Sequence, residues 1–275
     1  MTPSDRHIHP VVVKQPNTTG AVIAKPNYQV RFRHPQQHPQ QQPYVSPRAI
    51  TSSNNKVYVA PKRPLVPVIT RGGAIPGVSR HLPYTYARHS EAKLNVIIIG
   101  EGTRGADNPL AAVTLASRLG PNMPVSLLHL TREVTNIGEA TEDLVSSIMW
   151  LTGQSKLPIV IVGWAQAAAG AAVAAQLFQY DPRRVPGIVL LSTSPDDRVA
   201  QVLPALTCEK LIIHGAQDTT TPQQVATQVR DLCQKGLTYL HILSDADHTL
   251  KSRQHKPEEL LQQFLVYLIT KQLPA

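Results

Sequence analysis

Ile159-Val160-Ile161-Val162-Gly163-Trp164-Ala165-Gln166-Ala167 reads as an apolar run closed by a glycine, a tight turn, and the start of an Ala-rich stretch that continues to Phe178. Four consecutive β-branched residues favour a buried strand, and the alanines after the turn favour a helix. Small residues around Ala165 let the chain reverse between the two, so the side chain at 165 is presented above the end of a sheet. That side chain is a methyl group. It has no proton to lose, no lone pair to attack a carbonyl and no donor for a metal.

Outward from this stretch, apolar runs alternate with amphipathic ones. Strands are predicted at Asn95–Ile99, Val125–Leu130, Ile159–Val162, Gly187–Leu191, Lys210–Ile213 and Thr238–Leu243, and helices at Pro109–Leu119, Glu139–Leu151, Ala167–Phe178, Pro222–Cys233 and Pro257–Thr270. Val/Ile/Leu strands linked by helices imply a three-layer α/β domain over residues 91–275, with a mainly parallel sheet of about six strands covered on both faces. Loops at the carboxyl ends of the strands are then the natural site. Residues 159–178 carry no charge over a length that could span a membrane, but the glycines, Gln166, Gln176 and the many alanines fit a strand and a buried helix better.

The chain changes character near Ser90. Residues 1–90 hold 13 of the 24 prolines, a Gln-rich run at 36–43, and 12 Lys+Arg against the single acid Asp5, which puts the whole net positive charge of the protein in this arm. A basic, Pro-rich segment poor in bulky apolar residues cannot offset its ordering entropy alone, so residues 1–90 are expected to be an extended or disordered arm that needs a partner. Lys56–Ala60 and Leu65–Ile69 within it could add short edge strands. Two lone cysteines, Cys208 and Cys233, and a polar start containing Asp5, His7 and His9 suggest an intracellular, reducing compartment, with the organelle open.

Four loops carry the chemistry. Gly100-Glu101-Gly102-Thr103-Arg104-Gly105 follows the first predicted strand of the α/β domain, and Gly163-Trp164-Ala165-Gln166-Ala167 follows the third. His214-Gly215-Ala216-Gln217-Asp218-Thr219-Thr220-Thr221-Pro222 and Ser244-Asp245-Ala246-Asp247-His248-Thr249 follow the last two. Together they resemble the α/β-hydrolase superfamily, whose chain order of nucleophile, acid and histidine they reproduce. The resemblance implies the α/β-hydrolase fold over residues 94–272, with Asp218 as the triad acid, His248 as the triad base and Ala165 in place of the nucleophilic serine. Glu101 stands where the family's oxyanion loop commonly carries His, and a carboxylate there would oppose a developing oxyanion. Val162-Gly163-Trp164 followed by a non-serine is also similar to the hydrolase-like domain of subunit 3 of the non-specific-lethal chromatin complex and its testis-expressed relatives.

Loss of the serine costs about a millionfold in turnover in the subtilisin case, so the resemblance implies a non-catalytic member: not an enzyme, but a structural subunit of a larger assembly. In that reading Asp218 and His248 are remnants, Glu101, Gly102, Trp164 and Gln166 line a vestigial pocket, and no cofactor or metal is expected. The alternatives are a serine esterase or peptidase with a displaced nucleophile, for which Ser192 and Ser194 are the candidates, and a small-molecule binding module in the old pocket. Serines after a strand more often cap a loop, and Asp196-Asp197 fits a helix start. Gly100-x-Gly102-x-x-Gly105 matches a dinucleotide loop, but Glu101 and Asn108-Pro109 argue against it, and six histidines before residue 90 lack metal-binding spacing.

In the arm, Lys25, Arg31, Arg33, Lys62 and Arg63 interleave with aromatics and prolines. This pattern suits docking along an acidic surface such as RNA, DNA or an acidic protein polymer like tubulin, and no membrane partner is expected.

Overall fold

The computed structural model describes residues 69–77, 80–100, 123–132, 134–181, 184–194, 196–252 and 257–272. The arm positions Lys25, Arg31, Arg33, Lys62 and Arg63, the stretch 56–60, the loop residues Glu101, Gly102 and Arg104, and the helix expected at 109–119 lie outside them.

Among the described residues eight strands form one sheet: β1 (Ile69–Pro76), β2 (His81–Arg88), β3 (Leu94–Gly100), β4 (Val125–Leu130), β5 (Ile159–Trp164), β6 (Gly187–Leu191), β7 (Glu209–Gly215) and β8 (Thr238–Leu243). Among the described residues the α-helices are α1 (Ile137–Gln154), α2 (Gln166–Leu177), α3 (Asp197–Val202), α4 (Gln223–Leu232) and α5 (Pro257–Gln272). The spatial order is β1-β2-β4-β3-β5-β6-β7-β8. From β4 to β8 all neighbours are parallel, whereas β1 with β2 and β2 with β4 run antiparallel. The chain steps one way from β3 to β4 and the other way from β5 onward. The crevice at the carboxyl ends of β3 and β5, where Gly100 pairs with Trp164, is therefore the switch point at which such sheets bind ligands.

The uninterrupted apolar strands follow from burial on both faces. Ile97, Ile99, Ile161, Ile188, Leu190 and Ile212 point to the side covered by α1 and α2, and their alternates Val96, Ile98, Val160, Val162, Val189 and Ile213 point to the side covered by α5. Helix α2 lies flat because its contact face is alanine and glycine. A Cβ on Gly170 would sit 2.5 Å from the Ala140 Cβ of α1, so this position fixes how closely the two helices approach. The uncharged stretch 159–178 is thus a strand, a turn and a 12-residue helix. No helix among the described residues is long and apolar enough to cross a membrane.

Two expectations need correction. The sheet has eight strands rather than about six, and the segment expected to be arm up to residue 90 contributes β1 and β2. Ile75 and Leu82 are fully buried, and Tyr84 and Tyr86 pack on Trp150 of α1 with ring centroids at 5.0 and 5.7 Å. The Glu139 carboxylate accepts from Arg80 in the hairpin turn at 3.4 Å and from Arg132 after β4 at 2.7 Å. The hairpin therefore has an apolar face and a salt-bridged end, although nine of the arm's twelve basic residues still precede Ile69.

Replacing Gly170 by Val should destabilise the protein by about 1–3 kcal/mol through overpacking against Ala140. Gly153→Ala, at a helical position with no atom within 4 Å of the added Cβ, should instead raise stability by up to about 1 kcal/mol. Urea unfolding of the two variants should show midpoints moving in opposite directions.

Candidate active site

The reversal after β5 forces an unusual backbone. Ala165 has φ 52 and ψ −116, a conformation that costs an L-residue about 1–3 kcal/mol. It is held from both sides: the Ala165 N–H donates to the Leu191 carbonyl at 2.9 Å, and a Cβ on Gly163 would lie 2.4 Å from the Ala167 carbonyl oxygen. The elbow read from the sequence is built, with a nearly buried methyl at its apex.

Asp218 and His248 meet at the ends of β7 and β8. Oδ2 of Asp218 lies 2.7 Å from Nδ1 of His248, while Oδ1 accepts the backbone N–H groups of Thr220 and Thr221 at 2.9 and 2.7 Å. The carboxylate side chain is fully buried and that of His248 is 23% exposed, so the acid is shielded and the imidazole is reachable. A carboxylate that only accepts fixes Nδ1–H of His248 as the donor, leaving Nε2 as the proton-accepting atom. Nε2 has no partner among the described residues.

His214 lies beneath the pair. Its Nε2 is 2.7 Å from the Thr221 carbonyl and 3.5 Å from Oδ2 of Asp218, and its fully buried Nδ1 has no partner among the described residues. Burial holds His214 below the ordinary imidazole range, against the smaller opposing pulls of the Thr221 carbonyl and Asp218. The ring is therefore neutral near pH 7, with Nε2–H donated to Thr221.

The histidine loop is anchored from outside. Its backbone carbonyl at His248 accepts from the Trp164 Nε1–H at 3.3 Å and from the Ser192 hydroxyl at 2.9 Å. Asp247 closes the turn through Oδ1, which accepts from Thr249 N–H and Oγ–H at 2.8 and 2.7 Å.

Of the residues singled out in the sequence, the structure brings Asp218 to His248 and Trp164 to the His248 carbonyl, and it leaves Gln166 exposed at the first position of α2. Ser192 is fully buried with its hydroxyl committed to a carbonyl, so it is not a displaced nucleophile. Asp196 caps α3, its Oδ1 accepting from the Arg198 N–H at 2.8 Å, as the helix-start reading expects. Burial pushes the Cys208 thiol up to about 11, so it stays protonated near neutral pH. Sequence reasoning missed His214 and Thr221 as supports of the acid. Their only signal was their place in the quoted acid loop.

No family model matches the chain, and no curated protein matches it in sequence. Solved structures do. The esterase domain of a Rhodothermus marinus protein matches with a TM-score of 0.60 at 14% identity, covering 73% of this chain and 100% of that one. A dienelactone hydrolase from Anabaena variabilis matches with 0.60 at 17%, covering 73% and 98%, and Est1E from Butyrivibrio proteoclasticus with 0.58 at 12%, covering 72% and 99%. The chain has the α/β-hydrolase fold.

The expectation that the protein is not an enzyme is overturned here. The structures it resembles over nearly their whole length are esterases and hydrolases. Asp218 and His248 form a hydrogen-bonded pair at 2.7 Å.

Because the folded His214 has a depressed pKa, the unfolded chain takes up the proton first as pH falls below about 6.5, and stability drops through that window. His241, lowered by burial as well, adds to the slope. His214→Gln keeps an N–H for Thr221 and should flatten the fall in urea midpoint between neutral pH and about pH 5.5.

Proposed function

We propose that this protein is a slow hydrolase of small esters in which His248, oriented by Asp218, is a general base acting on water. The observation that carries this reading is the 2.7 Å Asp218–His248 bond on a built elbow whose apex is a methyl. The His248 Nε2 takes a proton from a water as its oxygen attacks the ester carbonyl carbon. The tetrahedral intermediate then collapses, the C–O bond to the leaving alkoxide breaks, and the alkoxide recovers the proton. The backbone N–H of Gln166, one of the donors left over at the start of α2, is the chain's nearest equivalent of an oxyanion donor.

Magnitudes set the expectation. General-base assistance contributes about 10²–10⁴-fold, and sites without one triad member retain about 10³–10⁴-fold over water. No acyl-enzyme forms at Ala165, so product release shows no burst.

The partition of charge in the sequence supports a second function for the same chain. We infer that the basic N-terminal arm docks the protein, as a subunit, on a larger assembly with an acidic surface such as RNA, DNA or a polymer like tubulin. Simultaneous Lys25→Ala, Arg31→Ala, Arg33→Ala, Lys62→Ala and Arg63→Ala in the full chain should weaken RNA binding and reduce its salt slope by up to about 5. An unchanged slope in a filter-binding titration would remove the nucleic-acid partner.

For the site, hydrolysis of p-nitrophenyl acetate by the full-length protein should be burst-free and should fall to the buffer rate in His248→Ala. Ala165→Ser should add a burst, a faster steady state and covalent labelling by a fluorophosphonate that the natural chain does not show. Turnover indifferent to His248 would sink the reading.

A further inference from the structure

Three non-glycine residues among the described ones have φ in the left-handed region: Ala165 at 52, Ser192 at 44 and Leu250 at 56. All three belong to the site. Ala165 is the elbow apex, Ser192 follows β6, and Leu250 ends the turn that begins at Asp247, with its N–H donated to the Asp247 carbonyl at 3.1 Å. Outliers of this kind persist only where surrounding structure over-determines them.

Ser192 has no apparent role in the chemistry proposed for His248, yet it is fully buried and its backbone N–H continues the ladder to the Ile213 carbonyl at 3.0 Å. The strained φ turns its Cβ off the strand's course, and its hydroxyl reaches the His248 carbonyl at 2.9 Å. The indole N–H of Trp164, next to the elbow apex, reaches the same oxygen at 3.3 Å. Two donors, one in β5 and one just after β6, thus converge on the backbone of the residue whose ring is held by Asp218, after β7. A single carbonyl with two lone pairs is filled by this pair.

We propose that Ser192 is a positioning residue: its hydroxyl, with the Trp164 indole, clamps the His248 carbonyl and so holds the imidazole against Asp218. The proposal rests on the reading of His248 as the working base, but its geometry can be tested without turnover. A hydroxyl lost from the clamp frees the 247–250 turn on one side, and a displacement of the ring by about 1 Å is enough to cost on the order of 10²-fold in rate.

The test uses the full-length protein and four variants. Proton NMR locates the Nδ1–H resonance of His248, assigned by its disappearance in His248→Ala. Ser192→Ala removes the hydroxyl and keeps the strain, while Ser192→Gly removes both. In each, the resonance should move upfield and broaden, and kcat for p-nitrophenyl acetate should fall tenfold to about a hundredfold with KM unchanged. Trp164→Phe, which leaves the serine bond in place, should give a smaller shift and keeps the proposal testable if a Ser192 variant fails to fold. An Nδ1–H resonance unmoved in the folded variants overturns the clamp. A resonance that moves while the natural chain shows no His248-dependent turnover upholds the clamp and overturns only the proposed activity.

Discussion

The site depends on a backbone reversal that the chain pays for in strain. Between β5 and α2 the polypeptide turns so sharply that a side chain at Gly163 would overlap the Ala167 carbonyl, and Ala165 is driven to φ 52, ψ −116. A methyl gains nothing from that conformation. What maintains it is the sheet on one side, through the Ala165 N–H to Leu191, and the close packing of α2 on the other. The elbow is thus a property of the layers rather than of the residue at its tip.

The same separation explains how an acid–base pair can stay assembled without a nucleophile. None of the contacts that orient Asp218 or His248 involves the side chain at 165. The acid is fixed by the Thr220 and Thr221 amides, and the histidine loop by Trp164, Ser192 and the Asp247 turn. Taking an oxygen away from the apex removes a route through an acyl-enzyme, but it breaks no hydrogen bond on which the other two residues rely. The hydrolysis proposed for this site draws only on that pair, whose Nε2 has no partner among the described residues.

Much of this was legible in the sequence because apolar parallel strands announce themselves. Val125–Leu130, Gly187–Leu191 and Thr238–Leu243 are the observed strands to the residue, and the elbow, the acid loop and the histidine loop fall where β5, β7 and β8 end. The hairpin was illegible for a physical reason. Gly72-Gly73, Pro76 and Pro83 interrupt its pattern, and the burial of Tyr84 and Tyr86 comes from Trp150, a contact distant in sequence. Lys210 is the opposite case: a charge at a strand start predicts exposure, yet its side chain is fully buried because its ammonium donates to the Leu206 and Cys208 carbonyls at 2.8 Å.

Strain was the least legible feature, since nothing in a local sequence marks Ser192 or Leu250 for φ above zero. The energy that holds Leu250 there is tertiary. Its side chain is fully buried among Leu243, Ala246 and the α5 residues Leu261 and Leu265, and burying a leucine contributes about 1.5–3 kcal/mol. That is of the same order as the roughly 1–3 kcal/mol that the left-handed conformation costs. The turn that carries His248 is therefore set by an apolar side chain on one face of the sheet and by two hydrogen bonds to one carbonyl at its carboxyl edge. The placement of the His248 imidazole comes from packing that a reader of the four loops, however attentive to their polar residues, does not see.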